Sequence, residues 1–268
     1  MSTLTGCIQS LGLLGPGLAD WSAARAVLNG EVAHVAARTV LPLPGVLPPA
    51  ERRRAGRVIK LALAVGAEAL AHARSHGALD ERALATVFTS SGGDGDNCHE
   101  ICLSLASHER LISPTRFHNS VHNAAAGYWG IAYGCTEAST SLCAGDASFG
   151  AGLLEALAQL ACGAPAVLLL AYDADYPPPL YAQRRIADAF GIALLLTPPA
   201  AGSALPRLQV SLSDAPAATL DDAGLESLRA SIPAARSLPL LERLAQRRAG
   251  TVVLDYLDTV RLAVEVHS

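Results

Sequence analysis

The stretch that decides the fold spans residues 138–163 and reads ASTSLCAGDASFGAGLLEALAQLACG. Residues 139–143 are typical of a β-strand, which the glycine at position 145 interrupts. Apolar residues then recur at helical spacing as far as the Cys-Gly pair at 162–163. A strand, a tight turn and a helix commonly hold a nucleophile, because the amides and dipole of the helix N-terminus stabilise an anion. The residue in that position here is Asp146.

The composition indicates a globular protein with one substantial core, or one domain and an extension. The chain has 268 residues, of which 51% are hydrophobic and 16% are charged. The formal net charge is −4, and the lysines and arginines are scattered along the chain. This distribution argues against a nucleic-acid partner, which would need a basic patch.

Cysteine usage and the apolar segments indicate where the protein works. The six cysteines form no CxxC pair and no regular framework, which favours a reducing, cytoplasmic setting. Residues 1–19 lack a basic segment and are interrupted by glycines and a proline, so we expect no signal peptide. The longer apolar segments carry Glu or His, or end after a few residues, and we expect no membrane span.

Strand-like and helix-like segments alternate through most of the chain. Alternation of this kind predicts a layered α/β domain with a mostly parallel sheet. The predicted strands cover 7–13, 85–90, 139–143, 166–172 and 192–197, and the predicted helices cover 21–28, 51–76, 97–107, 119–133 and the segment after Asp146.

The last part of the chain has a different composition. Residues 198–236 are rich in Pro, Ala, Ser and Asp, and they precede a segment at 251–266 that alternates like two paired strands. A strand at 208–212 and helices near 221–230 and 238–246 complete the prediction. We therefore divide the chain into a domain at 1–197 and a short C-terminal α+β extension at 198–268.

Residues 117–146, FHNSVHNAAAGYWGIAYGCTEASTSLCAGD, carry a resemblance to a known family. They resemble the N-terminal half of a β-ketoacyl synthase, in which a small-residue helix leads into a strand that delivers the catalytic cysteine to a helix N-terminus. Asn123, Ala126 and Gly127 match positions of the small-residue helix. The resemblance covers about residues 5–197 and implies a thiolase-like fold, with 1–197 as the ketosynthase-like domain.

Two departures from the family pattern argue against catalysis by this chain. Asp146 stands where the family has its nucleophilic cysteine, and a carboxylate cannot carry the acyl chain as a thioester. The family also uses two histidines from its C-terminal half, whereas the one histidine after Asp146 is His267. We therefore expect no catalytic residue in this chain and no condensation by the chain alone.

Asp146 and Cys143 each have an ordinary and a functional interpretation. Asp is a favoured helix N-cap and suits the dipole, so we expect Asp146 to cap the helix. The alternative is a carboxylate that positions a substrate in a pseudo-active site. Cys143 lies three residues upstream, where we expect a buried and inert thiol, with a displaced nucleophile as the alternative.

The histidines suggest a metal site only weakly. His118 and His122 are four residues apart and would share one face of a helix, with His99 or His108 as a third ligand. No Glu follows His118 directly, and polar capping or packing explains the pair more simply. We expect neither a metal nor a cofactor.

The resemblance extends to a particular kind of ketosynthase-like subunit. The chain is similar to chain length factors of type II polyketide systems, and its half-length form to those found with aryl polyene pathways. This resemblance implies that the chain forms a heterodimer with a full-length β-ketoacyl synthase and that the complex uses an acyl carrier protein. It also implies that this chain walls the end of the partner's acyl tunnel. The candidates for lining the tunnel share one stripe of the helix at 97–107 and are Cys98, Ile101, Cys102 and Leu105. The candidates for the subunit interface lie on the small-residue helix and are Asn123, Ala124, Ala126 and Gly127.

Other classes of function stay open at this point. The stripe on the helix at 97–107 is an ordinary core face if it does not border a tunnel. The chain is alternatively a stand-alone acyltransferase or hydrolase that uses Cys143 or a serine. A homodimer that binds acyl carrier protein or a lipid is the third possibility.

Overall fold

One eight-stranded mixed sheet organises the chain in the computed structural model, which describes residues 3–75, 77 and 79–267. In spatial order the strands run β3-β2-β4-β5-β1-β6-β8-β7. Their bounds are β1 Leu4–Leu14, β2 Ala85–Thr89, β3 Ser139–Leu142, β4 Val167–Asp173, β5 Phe190–Thr197, β6 Arg207–Ser213, β7 Gly250–Leu254 and β8 Arg261–His267.

The predicted strands are confirmed, but the prediction of a mostly parallel sheet is wrong. β2 pairs in parallel with β3 and β4, while the other five neighbouring pairs are antiparallel. Central antiparallel strands covered by helices on both faces are apolar throughout, as parallel strands are, so the sequence does not distinguish the two. The α/β class itself is confirmed, since helices and one eight-stranded sheet make up the fold.

Ten helices lie on the two faces and ends of the sheet in the described part of the chain. They are α1 Trp21–Leu28, α2 Pro49–Arg54, α3 Arg57–Arg74, α4 Gly95–Ala106, α5 Pro114–His118, α6 Ala124–Tyr133, α7 Ser148–Ala161, α8 Pro178–Tyr181, α9 Ala223–Ser231 and α10 Leu238–Ala245. Short 3₁₀ turns occur at Glu81–Ala83, Gly145–Ala147 and Pro233–Ser237.

Two long predicted helices are interrupted. The helix predicted at 51–76 breaks at Ala55 and Gly56, which have extended backbone angles, and its last predicted residue lies outside the described residues. The helix predicted at 119–133 begins only at Ala124. Asn119 is buried ahead of it, where its amide donates to the Arg54 carbonyl at 2.8 Å and its oxygen accepts from the Tyr128 hydroxyl at 3.2 Å.

The alternating residues of β4 divide the interior into two cores. Leu169 packs with α7 on one face, and Leu168 packs with α3 and α6 on the other. Helix α3 approaches β1 so closely that a Cβ added to Gly12 would lie 2.1 Å from the Val65 carbonyl oxygen. Glycine at this position therefore allows the helix backbone to rest directly on the sheet.

The residues after 198 extend the same sheet. β6 pairs with β1 and β8, and β7 and β8 form the antiparallel pair predicted at 251–266. Helices α9 and α10 contribute to the core that also contains α7. The boundary after residue 197 stays a prediction.

Candidate functional site

The turn between β3 and α7 places Asp146 just ahead of the helix. Residues Gly145–Ala147 form a 3₁₀ turn, and α7 begins at Ser148, so the cap position falls on Ala147. The Ser148 hydroxyl closes the turn by donating to the Gly145 carbonyl at 2.7 Å and accepting from the Ala144 amide at 3.1 Å. The prediction that Asp146 caps the helix is wrong, because neither the turn nor α7 has a side-chain cap.

The Asp146 carboxylate instead bridges two arginines. Nη2 of Arg184, in the loop after α8, donates to Oδ1 at 2.5 Å, and Nη2 of Arg236, in the 3₁₀ turn Pro233–Ser237, donates to Oδ2 at 3.0 Å. The Asp146 side chain is 52% exposed, while Arg236 is 21% exposed. The carboxylate in the turn before α7 is thus already held in two ion pairs.

Sequence reasoning missed both arginines. Arg184 and Arg236 lie 38 and 90 residues beyond Asp146, and no local pattern connects them to the turn. They line, together with Asp146, a polar cavity of about 300 Å³ at the end of α9.

Cys143 is exposed, so the expectation of a buried thiol is wrong. The strand ends one residue earlier, at Leu142, and the chain leaves the sheet there. The Cys143 thiol donates to the Ser91 carbonyl at 3.1 Å. This geometry keeps the thiol near the end of the sheet but outside the helix turn that holds Asp146.

A buried carboxylate at the end of β4 ties this region together. Asp173 accepts hydrogen bonds from the Ser91 amide at 2.9 Å, the Ser91 hydroxyl at 2.6 Å and the Ala234 amide at 2.9 Å. Burial raises the pKa of Asp173 from 3.8 to about 6, although these hydrogen bonds and the charge of Arg184 lower it. Asp173 thus fastens the turn that carries Arg236 to the sheet.

A second, larger cavity lies between α4, α5 and α6. Its volume is about 580 Å³, with Tyr172 and Val58 among its lining residues. The lining is mostly apolar, with Ile112, Phe117 and Val121 completing the side opposite α4. The four predicted tunnel residues are all part of this lining: Cys98, Ile101, Cys102 and Leu105.

Helix α4 is not part of the protein core. It buries no apolar residue, Cys98 and Cys102 are exposed, and Leu105 is 49% exposed. The alternative that the stripe is an ordinary core face is therefore wrong for this chain. The role of the stripe in a tunnel stays a prediction.

Large apolar side chains are also exposed on the elements that line this cavity. We call them the α4–α6 surface, because they lie on α4, on α6 and on the segment between them. Apolar clusters of this kind commonly mark contacts with another protein or an apolar ligand. The α4–α6 surface consists of Leu103, Leu105, Leu111, Phe117, Val121 and Ile131.

The predicted interface residues lie at the start of α6. Asn123 is exposed at the cap position and makes no cap bond, and Ala124 lines the larger cavity. Ala126 is half-buried against the core that contains α3, whereas Gly127 is exposed. A Cβ added to Gly127 meets nothing within 4 Å. Contact of these residues with a partner stays a prediction.

The two histidines considered for a metal do not share a helix. His118 is the last residue of α5 and packs edge-on against the ring of Tyr128, with the ring centroids 6.2 Å apart. His122 lies in the following turn, where its Nε2 is 3.0 Å from the Leu142 carbonyl oxygen. Within the described ranges no group of three His, Cys, Asp or Glu side chains is arranged to hold a metal ion.

Among the residues that the structure describes, no helix combines the length and the apolar character needed to cross a bilayer.

The chain matches a known protein family over most of its length. The family model described as β-ketoacyl synthase, N-terminal domain, matches residues 21–255. The chain therefore belongs to the family of β-ketoacyl synthase N-terminal domains. No curated protein sequence matches it.

Solved structures with the same fold come from ketosynthase and chain length factor complexes. A ketosynthase (ApeO) in complex with its chain length factor (ApeC) from Xenorhabdus doucetiae is matched at 24% identity and a TM-score of 0.73, over 98% of this chain and 99% of that one. The ishigamide ketosynthase/chain length factor is matched at 15% identity, with the same TM-score and coverage.

A third solved structure includes a carrier protein. It is the AntDE:AntF complex, a type II polyketide acyl-carrier protein with its ketosynthase bound to the hexaketide, matched at 11% identity and a TM-score of 0.75 over 100% of both chains. These likenesses establish the fold, which is the thiolase-like arrangement that the sequence predicted.

Proposed function

We propose that this chain is a non-catalytic, chain-length-factor-like subunit that pairs with an active β-ketoacyl synthase and helps to shape its acyl tunnel. The observation that carries the proposal is the contrast between the two cavities. The smaller one holds Asp146 in ion pairs at the nucleophile position, and the larger one presents an apolar lining about 580 Å³ in volume. The first feature argues against chemistry in this chain, and the second supports a role in holding an acyl chain.

Asp146 supports a non-catalytic role in two ways. A carboxylate at this position cannot become the thioester that ketosynthase chemistry requires. Its two ion pairs with Arg184 and Arg236 also occupy the carboxylate oxygens. His267, the one histidine after Asp146, is the last residue of β8, where its Nε2 is 3.7 Å from a Glu265 carboxylate oxygen.

The α4–α6 surface supports a role with a partner. Three of its large apolar side chains, those of Leu105, Phe117 and Val121, line the cavity. Phe117 is 69% exposed and Leu105 is 49% exposed. A full-length ketosynthase seated here would cover this surface and close the cavity on its open side. A closed apolar cavity limits the length of a growing acyl chain by steric fit, since packed walls resist overfilling.

The pathway and the carrier are inferred from the similar structures. The ApeO and ApeC structure is a ketosynthase with its chain length factor, and the AntDE:AntF structure includes an acyl-carrier protein. We infer that this chain acts in a type II polyketide pathway of the aryl polyene kind, on substrates carried by an acyl carrier protein. Its setting in the cell is then the cytoplasm.

The test is a condensation assay with the reconstituted complex. The chain alone, the complex, and the complex with the partner's catalytic cysteine replaced by alanine are each supplied with acyl- and malonyl-carrier protein. We expect β-ketoacyl product only from the complex whose partner retains its catalytic cysteine. We also expect mass spectrometry of the intact chain to show no acyl adduct at Asp146. Product from this chain alone, or from the complex without the partner's cysteine, would contradict the proposal.

A stand-alone acyltransferase that uses Cys143 is the second candidate, because the structure leaves this thiol exposed. The same mass measurement distinguishes it. An acyl adduct that forms on the chain alone and disappears in Cys143→Ser would favour this function. We expect no such adduct, since the Cys143 thiol donates to the Ser91 carbonyl.

A further inference from the structure

The cavity beside Asp146 carries an excess of positive charge. It lies between the Gly145–Ala147 turn, the loop after α8, the end of α9 and the Pro233–Ser237 turn. Its lining includes one carboxylate, Asp146, and three guanidinium groups, those of Arg184, Arg185 and Arg236. One negative and three positive charges leave the cavity with a net charge of +2. Its volume of about 300 Å³ is large enough for a small anion.

The donors of these arginines are only partly used. Asp146 takes one Nη2 hydrogen bond from Arg184 and one from Arg236, and its two oxygens are thereby engaged. Arg184 also has a buried Nε without a hydrogen-bond partner within the described residues. Arg185 is exposed at the cavity and has no ion pair among the residues that the structure describes.

We propose that this cavity binds a doubly charged oxyanion, and in particular a phosphate monoester. Guanidinium groups present donors in a fixed fork that matches phosphate oxygens, and a phosphate monoester carries about −1.5 to −2 charge at neutral pH. That charge balances the net charge of the cavity. Asp146 competes with the ligand for Arg184 and Arg236, because its ion pairs use one Nη2 donor of each. The proposal does not depend on pairing with a ketosynthase.

Titration of the intact chain with inorganic phosphate tests this proposal. Ionic strength is held constant with sodium chloride, and binding is measured by calorimetry. Arg185→Gln and Arg236→Gln each remove one donor group, and we expect each to weaken phosphate binding by about tenfold or more, as for a charge-assisted hydrogen bond. Arg248→Gln removes the same charge from an exposed position outside the cavity and should leave binding unchanged.

Asp146→Asn gives the opposite sign, which sharpens the test. Removal of the carboxylate frees both guanidinium groups and raises the net charge of the cavity, so phosphate should bind several-fold more tightly. Malonate replaces phosphate in a parallel titration, and stronger binding of malonate would identify a dicarboxylate as the dianion. Circular dichroism and thermal unfolding confirm that each variant is folded. Arg185→Gln is the safest variant, because Arg185 takes no part in the Asp146 ion pairs.

Two results would overturn the proposal. One is the absence of phosphate or malonate binding above that of chloride in the wild-type chain. The other is equal binding by the wild type, Asp146→Asn, Arg236→Gln and Arg248→Gln, because an adventitious ion on a positively charged surface would not distinguish these positions.

Discussion

The two cavities of this molecule lie on the same scaffold and differ in almost every physical respect. The cavity at α4–α6 is about 580 Å³, mostly apolar and bordered by exposed hydrophobic side chains. The cavity at Asp146 is about 300 Å³ and is lined by arginines and a carboxylate. In the first cavity, apolar surface that is costly to expose to water is left open. In the second, the one carboxylate is held in two ion pairs within the chain.

This difference separates two properties that a catalytic ketosynthase combines. On our proposal the apolar cavity holds an acyl chain and a partner covers its open side, while the turn before α7 holds a carboxylate in two ion pairs. Holding a chain and reacting with it are thus divided between subunits on our account.

The largest expected effect comes from a charge placed on the apolar side of this comparison. Gly127→Arg should weaken binding of a full-length ketosynthase by about 100-fold or more, since an unpaired buried charge costs about 3–5 kcal/mol. Gly127 is chosen because it is exposed and a side chain there meets nothing within 4 Å, so the chain should fold normally. Co-purification and surface plasmon resonance provide the measurement.

The matched control for this prediction is Ser227→Arg. Ser227 is exposed on α9, away from the α4–α6 surface, and its replacement adds the same charge. This variant should bind the ketosynthase as the wild type does. Wild-type affinity in Gly127→Arg would place the subunit contact on another face.

A smaller effect is expected from the buried carboxylate behind the polar cavity. The pKa of Asp173 is raised from 3.8 to about 6 in the folded protein. As the pH falls, the folded protein therefore takes up this proton at a higher pH than the unfolded chain does. Its contribution to the free energy of unfolding is therefore fully present below about pH 4 and lost as the pH rises through about 6. From about pH 7.5 to about pH 4.5 it should add roughly 2 kcal/mol.

Asp173→Asn isolates this contribution from other titrating groups. The difference in unfolding free energy between wild type and variant, measured in urea at both pH values, should grow by about 2 kcal/mol in favour of the wild type at the lower pH. The asparagine oxygen still accepts from Ser91, but its amide cannot accept from the Ala234 N–H. An unchanged difference would mean that Asp173 does not titrate in this range.

The smallest effect is expected at Asp146 itself. Asp146→Asn removes two ion pairs from a carboxylate that is 52% exposed, and solvent-exposed pairs contribute about 0–1 kcal/mol each. The free energy of unfolding should fall by about 1 kcal/mol, with condensation by the reconstituted complex unaffected. Urea unfolding measures the first and product formation the second. Loss of condensation by a folded complex would instead show a chemical role for this carboxylate.

The apolar half of the comparison could be predicted from the sequence, and the polar half only in part. Cys98, Ile101, Cys102 and Leu105 line one cavity because helical spacing alone places them on one face. The position of Asp146 between a strand and a helix could also be predicted, because β3, the turn and α7 follow one another directly in the sequence. Its partners were not predictable, because ion pairs across 38 and 90 residues leave no periodic trace.

Other differences have similar causes. The helix start shifted from Asp146 to Ser148 because a 3₁₀ turn precedes α7, and sequence patterns locate helix ends only to within a few residues. Cys143 is exposed because the strand ends one residue before it. β5, whose pairings are antiparallel, is as apolar as β4, which pairs in parallel with β2. The sequence pattern therefore does not reveal the relative direction of the strands.

The most direct test of the central claim compares a residue of the apolar cavity with an exposed leucine on another element. Ile101 lines the apolar cavity, whereas Leu212 is exposed on β6, outside that lining and outside the α4–α6 surface. The complex with a ketosynthase is reconstituted with Ile101→Ala, Ile101→Trp and Leu212→Trp, and the carrier-bound products are analysed by mass spectrometry. The account predicts longer products for Ile101→Ala, shorter ones for Ile101→Trp and wild-type lengths for Leu212→Trp. Wild-type lengths from intact complexes of both Ile101 variants would contradict it.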